Sequence, residues 1–584
     1  MILPTGTKSG KPLNPGRFDT LVSGLEYAAT CDTGFNYYTS KGELKYSLPY
    51  KDLREKAILA AKKLVGITEV GDRIGIAAVT SPEFAIFFFA CQYAGLVPAP
   101  LPLPVTLGGR GSYERQLQRM ADTGDFTALL TPASMENIMS SALNDHDIPV
   151  MAFDDVDKLP IGGELRPHGP DDLCYIQYSS GSSSSPKGII GTQGTVTANC
   201  LGICGEGGLH IRENDRCVSW LPLYHDMGLI GCMLAPLMSQ LSVDFLDPSD
   251  FTRRPITWLQ LIHDNKGTLS YSPTFGYELC VRRWRKDREL DLSSWRGAGI
   301  GADMVQAEQL KAFAETFSEY GFEETAFTPS YGLAEITLAA TFTPEGQGLL
   351  CDTIDMDRYE RTGEAVPASE MTLEEHKRTF VACGRILPKH QLEIRNFEDE
   401  VMGQRRVGRI CLKGPSITPG YFHNVLATQA AFTEDGWLDT GDLGYWLGDQ
   451  LVVTGRFKDL ILWHGRNIWP QDIEWAAQAA ATSRCGRACS FAIGSGDEKD
   501  IILLLECRTR DEKLLEEIHT VVSSAIRLEI GAPVKLILVP RSTMIITSSG
   551  KLSRARVREK FLEGNIIDLQ NEVALQIVDK NTRA

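Results

Sequence analysis

Ser179, Ser180, Gly181 and Ser182–Ser185 run directly into Pro186, Lys187 and Gly188. An apolar, strand-like run from Leu173 leads into them, and Ile189-Ile190 follows. Small side chains let backbone N–H groups approach phosphate oxygens closely, hydroxyls add donors, and Lys187 adds positive charge. The chemistry such a loop serves is the holding of phosphate groups, although the spacing is not the Walker pattern G-x-x-x-x-G-K-[ST]. Other reactive side chains carry weaker signals. Two C-x3-C pairs, Cys200/Cys204 and Cys485/Cys489, each lack a second pair beside them. A zinc site takes four ligands, so buried thiols are the expectation. Two basic groups, Arg282–Arg288 and the set Lys551, Arg554, Arg556 and Arg558, read as solvated helix faces or as docks for an acidic partner.

The elements that must position these groups are legible in outline. Residues 73–79 (RIGIAAV) predict a short buried strand, and 128–132 and 150–155 repeat that signal. Ser81 as N-cap, Pro82 as first helical residue and Glu83 in the first turn predict a helix start. That helix is very apolar, but Gln92, Gly95 and prolines at 98, 100 and 102 interrupt it, so it is a buried helix and not a membrane span. A helical pattern covers Ser112 to Asp122. Strand–helix alternation predicts an α/β fold with mostly parallel sheets. Near residue 456 the pattern changes to short strands and helices of a compact unit. The expected division is a large N-terminal domain, 1–456, of several subdomains with stacked mixed sheets and helices, and a small mobile α+β domain, 457–584. With 584 residues the chain is long enough for both, and its net charge of −16 makes it a poor general binder of nucleic acid or anionic membrane. Fourteen cysteines and a polar N-terminus without an apolar signal core suggest a reduced, cytoplasmic protein.

In its order of motifs the chain resembles the adenylate-forming superfamily of acyl-CoA synthetases, nonribosomal adenylation domains and luciferases. The Ser-rich loop is similar to that family's [YL][TS]SGSTGxPKG, with Ser183 for the usual Thr and Ser184 for a usual Gly. Ser330-Tyr331-Gly332-Leu333-Ala334-Glu335, Trp437-Leu438-Asp439-Thr440-Gly441-Asp442, Gly455-Arg456-Phe457-Lys458-Asp459 and Thr547-Ser548-Ser549-Gly550-Lys551-Leu552 follow in the family's order. The resemblance implies ATP as a substrate held by Ser179, Ser180, Gly181, Ser182, Ser183, Lys187, Gly301, Ala302, Asp303, Ser330, Tyr331, Gly332, Asp442 and Arg456. It implies Mg²⁺ on Glu335, a hard oxygen ligand. It makes Tyr331 the ring against adenine, Asp442 the acceptor of both ribose hydroxyls and Arg456 a ribose or phosphate ligand. Lys551 would be the catalytic cation, offsetting charge as the acyl oxygen attacks the α-phosphate. Two departures stand out: Gly408-Arg409 where Gly-Glu is frequent, and Asp303 where Glu is common.

Within the superfamily, Trp220-Leu221-Pro222-Leu223-Tyr224-His225-Asp226-Met227-Gly228-Leu229-Ile230-Gly231 resembles the WLPxYHDMGLIG stretch of fatty acyl-AMP ligases. So do Ser272–Tyr277, Asp291–Trp295 and Gly414–Tyr421, and the likeness spans roughly residues 45 to 555. It implies a fatty acid substrate, with His225 beside the reacting carboxylate as a catalytic and binding group. Met227, Gly228, Ile230, Gly231 and Phe275 would line the acyl site, and Leu229 shares its apolar character. The acceptor implied is the phosphopantetheine thiol of an acyl carrier protein acting in trans. A polar segment within 341–379 matches the place where that subfamily carries an insertion restraining the C-terminal domain; loops of such length are otherwise uncommon. After pyrophosphate leaves, the C-terminal domain would swing on the 456–459 junction and bring Gly465-Arg466-Asn467 to the thiol path. Two other readings stay open: an acyl-CoA synthetase, and a nucleotide-binding regulator on an inactive scaffold.

Overall fold

The computed structural model describes residues 3–104, 110–178, 186–286, 289–463, 466–481, 484–494, 499–546 and 552–570. Its centre is a nine-stranded sheet. Six parallel strands, in spatial order Phe327–Gly332, Gly297–Ile300, Leu269–Ser272, Arg216–Ser219, Ser242–Leu246 and Gly34–Tyr38, form its middle. Antiparallel strands extend both edges: Leu44–Pro49 on one side, Ala339–Phe342 and Arg385–Ile386 on the other. A second, four-stranded parallel sheet runs Val97–Leu101, Arg73–Ala77, Phe126–Thr131, Val150–Ala152. The chain then folds an antiparallel sheet from Gln391–Arg395, Gly408–Lys413, Leu438–Leu447 and Gln450–Arg456.

Between the first two sheets lies the helix Pro82–Ala94, which begins at Pro82 as the sequence predicts and ends on Gly95 in the left-handed region (φ +72°). It is apolar on all sides and buried along most of its length, as a helix between two layers must be. Ser81 makes no side-chain capping bond, so proline at the first position and the buried phenylalanines set this start. No helix among the described residues is long and apolar enough to cross a membrane. The predicted strand over 150–155 is only half strand: Val150–Ala152 pairs with Phe126–Thr131, while Phe153–Val156 turns into a short helix whose Phe153 stacks on Phe87.

Residues from 461 onward build their own apolar clusters. The hairpin Cys485–Ile493/Asp500–Cys507 pairs in parallel with Val534–Pro540. Helices Pro470–Ala480 and Glu512–Ile530 share one cluster with this sheet, and Arg554–Leu562 packs Val557 and Phe561 into a second. The polar segment within 341–379, where the resemblance implies an insertion, contains regular structure. Strands Cys351–Asp355 and Lys377–Val381 pair antiparallel, and helix Met356–Thr362 follows the first of them.

One ion pair fastens the centre of the large sheet. Arg216 donates to both oxygens of Asp244 on the adjacent strand (2.6 and 2.7 Å) and to the carbonyl of Thr5 (3.0 Å), and Asn36 donates to Asp244 (2.9 Å). The two side chains are 3% and 0% exposed. Asp244→Ala should cost about 3–5 kcal/mol by leaving a buried guanidinium uncompensated, visible as an earlier denaturant midpoint for the large domain.

Candidate functional site

The C-terminal ends of the parallel strands converge at Trp220, Pro273, Gly301 and Ser330, the edge at which open α/β sheets bind ligands. Three other parts of the chain close on this edge. The first is the strand Gly188–Thr192, which pairs antiparallel with Leu173–Tyr178 and also meets the 420–422 segment: Ile190 N–H donates to the Gly420 carbonyl (3.1 Å) and Phe422 N–H to that of Gly188 (2.7 Å). This meeting carries Lys187 to Tyr421, whose ring lies 4.6 Å from the ammonium. The Tyr421 hydroxyl donates to Glu335 Oε1 (2.9 Å), and the Thr418 N–H donates to the Glu335 carbonyl (2.8 Å). Lys187, Tyr421 and Glu335 therefore form one continuous group.

The second part is the hairpin Leu438–Leu447/Gln450–Arg456, in which Asp442 and Arg456 are cross-strand partners. Arg456 Nε donates to Asp442 Oδ1 (3.1 Å), and the Tyr331 hydroxyl donates to Oδ2 of the same carboxylate (2.8 Å). Asp442 charge raises the Arg456 pKa further, and burial holds the Tyr331 phenol far above its ordinary range. Gly441 (φ +73°) turns the chain just before Asp442, and a side chain there would meet only open space. Gly332 has no such freedom, because a Cβ would lie 1.7 Å from the Leu338 carbonyl oxygen.

The third part is the eight-residue π-helix Met227–Leu234, started by Asp226, which accepts from the Met227 N–H (2.7 Å). Such long π runs are rare and gather at functional sites. Asp226 also meets His225 Nδ1 at 2.5 Å. Gly228 sits against the Pro222 carbonyl, where a Cβ would come within 2.1 Å of the oxygen, so His225 and the helix are pressed onto the preceding turn. Ile230 and Leu229 face the core, and Met227 is buried with its Sδ facing Gly301. Gly231 lines a small apolar void with Cys217, Leu241 and Tyr271. Phe275 is partly exposed, edge-on to Trp220 (5.6 Å), which itself stacks on Phe251 (3.8 Å).

Ser330 Oγ donates to the Ile300 carbonyl (3.3 Å) and lies near Gly301. Ala302 adopts φ +73°, and Asp303 is exposed at the rim. Ser179, Ser180, Gly181, Ser182, Ser183 and Lys551 lie outside the described residues, as does Gly465. Ile546 and Leu552, on either side of the 547–551 segment in sequence, form an antiparallel bridge.

Two residues that sequence reasoning did not single out for roles belong to this group. Tyr421 closes the Gly414–Tyr421 motif, and only the fold shows it between Lys187 and Glu335. Asp226 is the carboxylate next to His225 and raises the Glu335 pKa by its charge. One expectation is corrected: Arg554 is not part of a solvated basic face, because two carboxylates hold it in the interior. Cys200 and Cys204 are buried on one helix, as expected, and no cluster of three or more His, Cys, Asp or Glu suited to a metal occurs among the described residues.

The profile of the AMP-binding enzyme family matches residues 30–422. The chain belongs to that family. A Caulobacter vibrioides protein bearing the name of an acyl-CoA synthetase is 42% identical over 574 residues, 97% of this chain and 99% of the relative. A medium-chain-fatty-acid–[acyl-carrier-protein] ligase of Moorena producens is 31% identical over 590 residues, 97% and 99% of the two chains. A solved structure from work on fatty acyl-adenylate ligases of E. coli and L. pneumophila superposes with TM-score 0.90 at 41% identity, covering 95% of this chain and all of the other. The fold is thus that of the adenylate-forming enzymes, with a large N-terminal and a small C-terminal domain.

Burial, more than any other influence, pushes the Glu335 carboxyl pKa upward. A carboxyl whose native pKa is raised destabilises the fold once it must ionise, and this cost vanishes as pH falls and the group is protonated in both states. Glu335→Gln keeps an acceptor for Tyr421 and removes the charge. It should raise the thermal unfolding midpoint at pH 8, and the gain should shrink as pH falls toward the ordinary carboxylate range.

Proposed function

We propose that this AMP-binding enzyme activates a fatty acid with ATP, forming acyl-adenylate and pyrophosphate, and passes the acyl group to the phosphopantetheine thiol of a separate acyl carrier protein. The observation that carries the reading is the convergence of Lys187, Glu335, Tyr331, Asp442 and Arg456 at one sheet edge. An adenine ring, a ribose diol and a polyphosphate together need an aromatic face, a carboxylate and cations, and this donor set has each. In this reading the 179–187 loop and Lys187 hold the phosphates. Tyr331 takes the base, and Asp442 and Arg456 take the ribose side. The carboxylate oxygen of the fatty acid attacks the α-phosphorus, and the bond to pyrophosphate breaks.

Glu335 is a suitable hard ligand for Mg²⁺. When bound, the ion neutralises phosphate charge. Lys551 stabilises the charge that develops between carboxylate and α-phosphate. His225, held by Asp226, sits where the carboxylate end of the acid would approach, and the chain then runs past Met227, Gly228, Ile230, Gly231 and Phe275. The void at Gly231 is apolar, as an alkyl tail requires.

For the acceptor, the 351–381 region supports a carrier protein over free CoA. Its Arg378 pairs with Asp472 of helix Pro470–Ala480 and lies over the rings of Phe380 (4.7 Å) and Trp475 (5.1 Å). Ile354, Tyr359 and Phe380 share an apolar cluster with Trp469. These contacts tie the region to the C-terminal domain and would restrain the rotation that CoA use demands. The name of the Caulobacter relative favours the second reading, a CoA ligase.

Product analysis with ATP, Mg²⁺ and a panel of fatty acids separates these readings. Acyl-adenylate should accumulate even with CoA present, and rapid conversion to acyl-CoA would establish the synthetase instead. Lys551→Ala should lower pyrophosphate release by at least about a hundredfold; undiminished release would remove the role given to Lys551. Arg378→Ala should raise the fraction of adenylate converted to acyl-CoA, and an unchanged fraction would mean that this clamp does not select the acceptor.

A further inference from the structure

The junction between the large sheet region and the C-terminal unit is tied down on both sides within four residues. Arg456, the last residue of its strand, bonds to Asp442. Phe457–Asp459 then forms a single 3₁₀ turn, and Asp459 Oδ2 accepts from Arg554 Nη1 (3.1 Å). Arg554 opens the helix Arg554–Leu562, three residues beyond Lys551. The same guanidinium also grips Glu474 through both oxygens, Nε to Oε1 at 2.8 Å and Nη2 to Oε2 at 2.6 Å. Glu474 accepts a further bond from the Ser490 N–H (2.8 Å).

The two carboxylates differ in kind. Glu474 is 7% exposed and belongs to helix Pro470–Ala480, so it moves with Arg554 as one body. Asp459 is 24% exposed and belongs to the junction. Its distance to Arg554 depends on the backbone angles of the turn, and a rotation there separates them while the Glu474 bond survives. Arg554 is also close to the base of the 547–551 segment: Ser553 N–H donates to the Ile545 carbonyl (2.9 Å), and Ile546 bridges Leu552. A setting of the junction is thus passed through one guanidinium to the start of the helix that follows Lys551 in the chain. In the arrangement seen here, Arg556 of the same helix has Arg119 and Arg115 as charged neighbours. Those belong to helix Arg110–Gly124, whose Met120 carbonyl accepts from the hydroxyl of Tyr178, the residue preceding the Ser-rich loop.

We propose that Arg554 is a positioning residue for the activation step: its bond to Asp459 sets the C-terminal unit for adenylate formation, and that bond is released when the domain turns. This rests on the role given above to Lys551. It assigns Asp459 the part of the removable arm and Glu474 that of the permanent one.

The test is Asp459→Asn in the full-length protein, with pyrophosphate release measured on the best fatty acid of the panel. The variant should lower kcat about tenfold, the scale of one bond to a charged group, with KM for ATP and acid unchanged. Its thermal midpoint should stay at the wild-type value, since Glu474 still partners Arg554. Asp459→Glu should recover part of the loss. Adding Asp459→Asn to Arg554→Lys should lower kcat no further than Arg554→Lys alone, because the two share one contact. A kcat within about twofold of wild type, or a fall in kcat matched by a lowered midpoint and raised KM, would overturn the latch. Wild-type protein that releases no pyrophosphate with any acid would instead remove the activation reading itself.

Discussion

Asp442 stands opposite Arg456 in an antiparallel hairpin, and that pairing fixes where the rest of the site can be. The carboxylate must face the sheet edge to receive the Tyr331 hydroxyl, so the register of the hairpin is locked to the end of the large parallel sheet. The guanidinium ends the last strand before the junction, so the same bond fixes where the C-terminal unit departs. Two sheets and a domain boundary are aligned by three polar groups. A slip of one residue in the hairpin would turn Asp442 to the opposite face and dissolve the alignment.

Charge is placed sparingly around this point. Burial and, more weakly, the charge of Asp226 disfavour ionisation of Glu335, with Arg456 as the opposing cation and Lys187 beside Tyr421. Farther off, Asp472 is pushed up to about 6 by burial, with Arg378 opposing the shift, and Arg554 is shared by two acids. Glu335, Asp472 and Arg554 are held by partners from distant segments, not from their own turn or strand.

That distance explains which features the sequence disclosed. The helix at Pro82 was legible because its proline start and glycine end are local signals, and the strands at 73 and 128 because β-branched and aliphatic runs are local too. The alternation of strands and helices sufficed for an α/β fold. The motifs at 220, 330, 437 and 455 led to His225, Tyr331, Glu335, Asp442 and Arg456, which the fold gathers at one edge. Tyr421 and Asp226 escaped, because what marks them is a bond or a neighbour nearly ninety or more residues away. Arg554 was misread for the same reason: among arginines in a polar helix, nothing local distinguishes the one that folds inward. The 341–379 segment showed no strand signal because its paired strands are mostly polar, with only Ile354, Phe380 and Val381 as buried apolar residues and Asp352 buried beside them.

The π-helix over 227–234 has a geometric consequence. Its hydrogen bonds span five residues, so each hydrogen-bonded turn encloses one residue more than an α-turn. The arrangement is a sequence-length device: losing a residue of the run would let the segment relax into an ordinary helix while Asp226 at its start stayed put. Gly231 would then rotate off the void that it lines, and a bulkier neighbour would replace it. Deletions here would reshape that apolar void through the backbone alone, leaving Lys187, Glu335, Asp442 and Arg456 as they are.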